Sequence, residues 1–168
     1  MGGMAGIRRI ALALPLAVLG VSAAEAPQQA NRIVIEKAKR EMVLFSHGKA
    51  LRSYKVALGH NPVGPKTRQG DMRTPEGLYT IDARYSHSEY HMALHISYPN
   101  AADRAQARKL GVNPGGDILI HGLPNGMGYI GKAQRLWDWT KGCVAVTDEE
   151  IEEIFRLVPN GTAVEIRP

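Results

Sequence analysis

Cysteine is nearly absent from the sequence, because Cys143 is the only one. A single thiol cannot form an internal disulfide, so the fold is not expected to depend on a disulfide framework. Dense runs of lysine and arginine are also missing despite a formal net charge of +5, so nucleic acid is not an expected partner. The sequence has no internal repeat, and its 168 residues, 44% of them hydrophobic, are enough for one compact core. One domain is therefore predicted.

The N-terminal segment lacks the roughly 20 consecutive apolar residues that a membrane-spanning helix needs. Arg8 and Arg9 instead precede a shorter apolar run that ends in small residues. This order is typical of a secretory signal peptide, predicted over residues 1–26, with an uncleaved anchor as the alternative. The signal predicts export to the periplasm or cell wall and no stable membrane insertion after cleavage. Residues 27–31 are predicted to form a short spacer before the main domain, residues 32–168.

Short runs of β-branched, aromatic or alternating apolar residues dominate the main domain and indicate β-strands. The predicted strands are residues 32–36, 41–46, 51–58, 78–83, 92–96, 117–121 and 163–166. The first three are expected to form an antiparallel meander. Two helices are predicted, one over residues 101–110 and one that begins at a capping box formed by Thr147 and Glu150. The fold class is therefore mainly β with one or two short helices.

Residues 59–77 are rich in glycine, proline and charge, and predict a long ordered loop. Structureless loops longer than about 12 to 15 residues are uncommon in compact domains and tend to be functional. This loop is therefore a candidate wall of a substrate groove, with a solvated connector as the alternative.

Three histidines, His87, His91 and His95, recur every four residues. On a helix this spacing would align them for zinc. The surrounding residues alternate as in a strand, where positions four apart lie about 13 Å from each other. No metal is therefore expected.

Gly126, Gly128 and Gly131 have the spacing of a dinucleotide-binding loop. They do not lie directly between a strand and a helix, and an exported protein would meet little nicotinamide cofactor. A flexible loop over the site is predicted instead, and no cofactor is expected.

Cys143 lies in a sequence context that suits a nucleophile. Gly142 permits close approach of backbone or substrate, and the capped helix begins shortly afterwards, so backbone amides here could face an oxyanion. Lys141 supplies positive charge, and His121, 22 residues upstream at the end of an apolar run, could act as the base. The alternatives are a small buried thiol and a core histidine whose hydrogen bonds are satisfied.

Residues 120–122 (Ile-His-Gly) and 139–144 (Trp-Thr-Lys-Gly-Cys-Val) resemble motifs of the L,D-transpeptidase catalytic domain family, also called YkuD-like. Residues 70–79 resemble the threonine-proline-x-glycine segment of that family, and residues 96–100 resemble one of its subgroups. The likeness extends over roughly residues 32–166, nearly the whole main domain.

The resemblance implies a compact β-sandwich or barrel-like L,D-transpeptidase fold, with residues 32–168 as the catalytic domain. It also implies that Cys143 forms a thioester with peptidoglycan stem peptides while His121 acts as general base and acid. By the same resemblance, the Gly122 carbonyl would orient His121. Thr140, Lys141 and Gly142 would contact the substrate or the oxyanion.

Three functions are compatible with this resemblance. In a transpeptidase, an amine from a second stem peptide or from a wall-anchored protein would resolve the thioester. In a hydrolase, water would do so, giving a carboxypeptidase, an endopeptidase or an amidase that releases wall-anchored protein. A wall-binding module would keep the fold without catalysis.

Two positions depart from the family pattern. Many members have a histidine where this chain has Lys141, and an arginine where it has Ala145. Lysine supplies charge but not the hydrogen-bonding geometry of a histidine. The nucleophile and the base match the family, whereas recognition of a substrate carboxylate is expected to differ.

Overall fold

The computed structural model describes residues 1–2 and 28–168. The predicted signal peptide therefore falls almost entirely outside the described residues. The strands are β1 (Arg32–Glu36), β2 (Glu41–Ser46), β3 (Lys49–Lys55), β4 (Gly77–Ser88), β5 (His91–Ile96), β6 (Leu119–His121), β7 (Val144–Ala145) and β8 (Ala163–Arg167). The α-helices are α1 (Ala101–Leu110) and α2 (Asp148–Leu157), and Lys37–Lys39 and Gly128–Leu136 form 3-10 turns. The predicted class, mainly β with one or two short helices, is confirmed.

One eight-stranded sheet, in the order β3-β2-β1-β8-β4-β5-β6-β7, forms the body of the domain. Its edge strands are β3 and β7, and the chain that leaves β3 meets β7. Ala57 and Ala145 exchange two backbone hydrogen bonds there, of 3.0 and 2.8 Å. Thr140 N–H donates to the Leu58 carbonyl at 3.1 Å on the same line of contact. The sheet thus closes on itself, which selects the barrel-like alternative over the sandwich.

The interior of the curled sheet and the inner face of α2 form one apolar core. Helix α2 contacts β5 and β6, and Ile151 and Ile154 within it and Val158 at its C-cap are fully buried, as an amphipathic helix against a core requires. The predicted capping box is confirmed: the Thr147 hydroxyl accepts from the Glu150 N–H, and the Glu150 carboxylate accepts from the Thr147 N–H. The cap fixes where α2 starts, directly after β7.

The predicted meander of β1, β2 and β3 is confirmed, and the position of β8 is the main addition. This last strand lies between β1 and β4, parallel to β1 and antiparallel to β4. Strand β4 is longer than the predicted residues 78–83, because its first part pairs with β8 and its second part with β5. Strand β6 begins later than predicted because Asp117 has a positive φ of 54°.

The segment before β1 and the long loop between β3 and β4 are also held in place. Ala30 and Asn31 donate backbone hydrogen bonds to Leu157 and Phe45, so both contact the folded domain. The loop over residues 59–77 is ordered, because the buried Lys37 ammonium binds the Gly64 and Thr74 carbonyls.

No helix in residues 28–168 is both long enough and apolar enough to cross a bilayer.

Candidate active site

His121 and Cys143 are brought together by the short parallel ladder between β6 and β7. Ile120 pairs with Val144 and His121 with Ala145. One residue earlier, the same register sets Cys143 beside Leu119, and the Leu119 N–H donates to Cys143 Sγ at 3.4 Å. Because side chains alternate along a strand, Leu119 and His121 share a face, and Cys143 lies diagonally across from His121 on it.

The His121 imidazole is held by three contacts. Its Nδ1 lies 2.7 Å from the Gly122 carbonyl oxygen, which can only accept, so the proton is on Nδ1 and Nε2 is available as a base. Tyr90 stacks on the ring at a centroid distance of 4.3 Å, and Trp139 meets it edge-on at 5.8 Å. Burial lowers the pKa of His121 to about 4, although the bond to Gly122 opposes this shift. The resting imidazole is therefore neutral.

The Cys143 thiol rests on the backbone of the segment that leads into β6. It accepts from the Leu119 N–H and donates to the Asp117 carbonyl at 3.5 Å. Burial is the main cause that raises the pKa of Cys143; the Asp117 charge adds to the rise, while the Leu119 N–H and the Lys66 ammonium oppose it. The thiol and the imidazole that line the groove are therefore both neutral at rest, and nucleophilic attack requires transfer of the thiol proton.

The turn that presents the thiol is built by Thr140 and Gly142. The buried Thr140 hydroxyl donates to the Cys143 carbonyl at 2.8 Å and accepts from the Gly142 N–H at 3.1 Å. Gly142 has φ of 134°, and a Cβ there would lie 2.7 Å from the Arg73 carbonyl oxygen. Thr140 and Gly142 thus shape the turn, and the Gly142 amide already has a partner.

Two connected cavities, of about 340 and 570 Å³, form a groove that passes over Cys143. Both are lined by Glu89, Tyr90, Lys141 and Cys143. His121 also lines the smaller cavity, and the larger one extends to residues 66–72 of the long loop. The predicted role of that loop as a groove wall agrees with this position.

A third cavity, of about 210 Å³, adjoins the groove at Pro124 and Trp139. Met127, Ile130 and Trp137 make it apolar. The segment with the spaced glycines forms one of its walls, although residues 128–136 are 3-10 turns rather than the flexible loop predicted.

The three histidines lie on a hairpin rather than along the single strand predicted, because the chain turns between His87 and His91. His87 lies on β4, and His91 and His95 lie on β5. His91 Nε2 is 2.8 Å from a Glu152 carboxylate oxygen, and His95 bonds to Asp82. Across residues 28–168, no three side chains of the types that ligate metals are clustered.

Several groove residues were not identified from the sequence. Tyr90 comes from the turn between β4 and β5, and Lys66 and Asp117 come from loops remote in sequence from Cys143. Trp139, by contrast, belongs to the cysteine motif of residues 139–144 and therefore carried a local signal. The Ala145 methyl lies buried in the barrel closure, so this position presents no charge to the groove.

Fold and site together describe a barrel-like β domain in which a cysteine and a buried histidine share one groove. Residues 30–166 match the model of the L,D-transpeptidase catalytic domain, YkuD. The chain belongs to this family, which confirms the resemblance found in the sequence.

Relatives of known sequence and structure agree with the family match. The protein named "Putative L,D-transpeptidase YafK" of Escherichia coli K12 is 34% identical over 110 residues, which are 64% of this chain and 37% of that protein. The chain therefore spans well under half of that relative.

Two solved structures share the fold. The helical cell shape determining protein Pgp2 (K307A mutant) of Campylobacter jejuni superposes with a TM-score of 0.63 at 24% identity, over 83% of this chain and 47% of that one. An L,D-transpeptidase of Mycobacterium smegmatis gives a TM-score of 0.55 at 15% identity, over 83% and 59% of the two chains. At these identities the likeness establishes the fold alone.

Proposed function

We propose that this protein is an exported acyltransferase that cleaves peptidoglycan stem peptides through a thioester on Cys143. The observation that carries the proposal is the placement of Cys143 and His121 on one face of the β6–β7 ladder, at a groove. The bond from His121 Nδ1 to the Gly122 carbonyl adds support, because it leaves Nε2 as the base. Export would follow from the predicted signal peptide, residues 1–26.

Acylation begins with transfer of the Cys143 proton to His121 Nε2. Sγ then attacks the carbonyl carbon between an L-centre and a D-residue, and the carbonyl oxygen becomes an oxyanion. Collapse of this intermediate breaks the C–N bond. The leaving amine takes the proton from His121, and the acyl group remains on Sγ as a thioester.

The second half-reaction releases the acyl group. His121 removes a proton from the acceptor amine, whose nitrogen attacks the thioester carbon. The C–S bond then breaks, and Sγ recovers the proton held by His121. An amine of a second stem peptide or of a wall-anchored protein gives transpeptidation, whereas water gives hydrolysis.

Lys141 is the proposed contact for a substrate carboxylate. Its side chain is exposed and lines both cavities beside Cys143. Position 145 is a buried alanine, so the positive charge that many family members have there is absent. For the oxyanion, the Cys143 N–H is the proposed donor, since the Gly142 N–H already donates to the Thr140 hydroxyl.

The test is intact-protein mass spectrometry after mixing the purified protein with a defined stem tetrapeptide. An acyl adduct on Cys143 is expected, and it should be absent from Cys143→Ala and strongly reduced in His121→Ala. Product analysis separates crosslinked products, made with an amine acceptor, from trimmed products, made with water. Cellular function of Cys143→Ala equal to that of the wild type would refute the proposal and favour a wall-binding module.

A further inference from the structure

Asp148, the first residue of α2, contacts the backbone that holds His121. Its Oδ1 accepts from the Leu123 N–H at 2.7 Å, while the Gly122 carbonyl accepts from His121 Nδ1 at 2.7 Å. That carbonyl and that N–H are the two ends of one planar peptide group. The carboxylate and the imidazole are therefore bonded to opposite ends of the same peptide.

The Asp148 carboxylate is confined by two close backbone approaches. A Cβ at Gly122 would lie 2.6 Å from Oδ1, and a Cβ at Gly128 would lie 2.5 Å from Oδ2. A side chain at either position would displace the carboxylate. Both glycines thus leave the space in which Asp148 reaches the peptide.

We propose that Asp148 is a positioning residue that acts on His121 through the Gly122–Leu123 peptide. The proposal rests on the proposed function, in which His121 becomes positively charged when it takes the thiol proton. A carboxylate at the N–H end polarises the peptide and makes the Gly122 oxygen a stronger acceptor. The stronger bond stabilises the imidazolium and fixes the tautomer, as the aspartate of a serine-protease triad does by direct contact.

A simpler role for Asp148 is to stabilise the N-terminus of α2, where negative charge is favourable. Glu149 provides a matched control for that role. It lies in the same first turn and is exposed, and it is not a hydrogen-bond partner of the Gly122–Leu123 peptide in the described structure. Loss of charge at Glu149 therefore weakens the helix terminus without altering the peptide.

The experiment compares Asp148→Asn with Glu149→Gln in the full chain. Asparagine retains an oxygen for the Leu123 N–H but has no charge. With a stem tetrapeptide as substrate, Asp148→Asn should lower kcat about tenfold with little change in KM, as expected when a residue that orients a catalytic ligand is lost. The His121 Nδ1 proton resonance should also move upfield, whereas Glu149→Gln should change neither quantity.

Three outcomes would decide the matter. An unchanged kcat and Nδ1 resonance in Asp148→Asn would overturn the proposal, as would an equal loss of kcat in Glu149→Gln. A shifted resonance in a protein that does not process stem peptides would support positioning and refute the proposed function. If Asp148→Asn does not fold, Asp148→Ser, which keeps a short oxygen at the helix start, gives the same readouts.

Discussion

The burial of His121 makes the stability of the domain depend on pH. The imidazole is 1% exposed in the folded state, where its pKa is about 4 against an ordinary value of 6.5. Between these values the unfolded chain binds a proton that the folded chain does not. Stability is therefore lost as pH falls through this window, and the loss stops below the folded pKa.

When the pH falls from 7 to 4.5, the lowered pKa of His121 should reduce the free energy of unfolding by about 2 kcal/mol. Urea denaturation of the wild type and of His121→Gln at both pH values measures this cost as a difference between the two proteins. Glutamine does not titrate, so other groups cancel in the comparison. Equal losses in both proteins would show that His121 is not buried as a neutral base.

Lys141 should determine affinity rather than chemical rate. Lys141→Ala should raise KM about tenfold with a smaller effect on kcat, because a charge-assisted hydrogen bond of about 1.5 kcal/mol is lost from substrate binding. Lys141→Arg should retain most of the affinity. The control is Lys132→Ala, which removes an exposed lysine outside the groove. A substrate with an amidated carboxylate should bind wild type and Lys141→Ala equally; a persistent difference would contradict the assignment.

The turn between Thr140 and Cys143 depends on a glycine for two separate reasons. At Gly142 the backbone has a positive φ, and an added Cβ would also meet the Arg73 carbonyl. Gly126 shares only the first property, since its φ is 83° and nothing lies within 4 Å of an added Cβ. The two positions therefore separate backbone strain from steric overlap.

Gly126→Ala should cost about 1 kcal/mol, the cost of a positive φ for an L-residue. Gly142→Ala should cost about 2 to 4 kcal/mol, because overpacking adds to that strain. Denaturant unfolding of both variants measures the difference. In Gly142→Ala the turnover should also collapse, since the thiol moves with the turn. Similar stability losses would mean that the Arg73 backbone yields without cost.

The cap of α2 connects this helix to the β6–β7 ladder. Thr147 directly follows the short segment after β7, and its hydroxyl accepts from the Glu150 N–H. Thr147→Ala should cost about 1 kcal/mol, the usual contribution of an N-cap. Thermal unfolding measures it, with Thr67→Ala, in a loop outside the helices, as the control. A loss no larger than that of the control would mean that the cap does not stabilise α2.

At the scale of the whole molecule, β8 joins the two parts of the sheet. It pairs with β1 on one side and with β4 on the other, so both of its edges are hydrogen-bonded. Its amides should therefore exchange with deuterium as slowly as those of β1.

Deletion of residues 161–168 should unfold the domain, because β1 and β4 would lose their common neighbour. Deletion of Pro168 alone is the control, since this residue is exposed and lies outside β8. Circular dichroism and hydrogen exchange measure both variants. A folded, active protein without β8 would contradict the central role of this strand.

The sequence was sufficient to predict local features, but it did not predict which distant strands pair. Alternation and capping predicted the meander and the start of α2, because these depend on neighbours in the chain. The insertion of β8 and the Ala57–Ala145 closure depend on contacts between distant segments, which periodicity does not report. The same limit applied to the site: the pattern around Cys143 was readable, but Tyr90 and Asp148 reach His121 only through the fold.

The central position of β8 has a consequence for the order of events during synthesis. Residues 163–167 follow every other strand of the described residues in the chain, yet β1 and β4 are joined only through them. A growing chain therefore cannot join these two strands until β8 has left the ribosome. The two parts of the sheet are expected to come together only after that point.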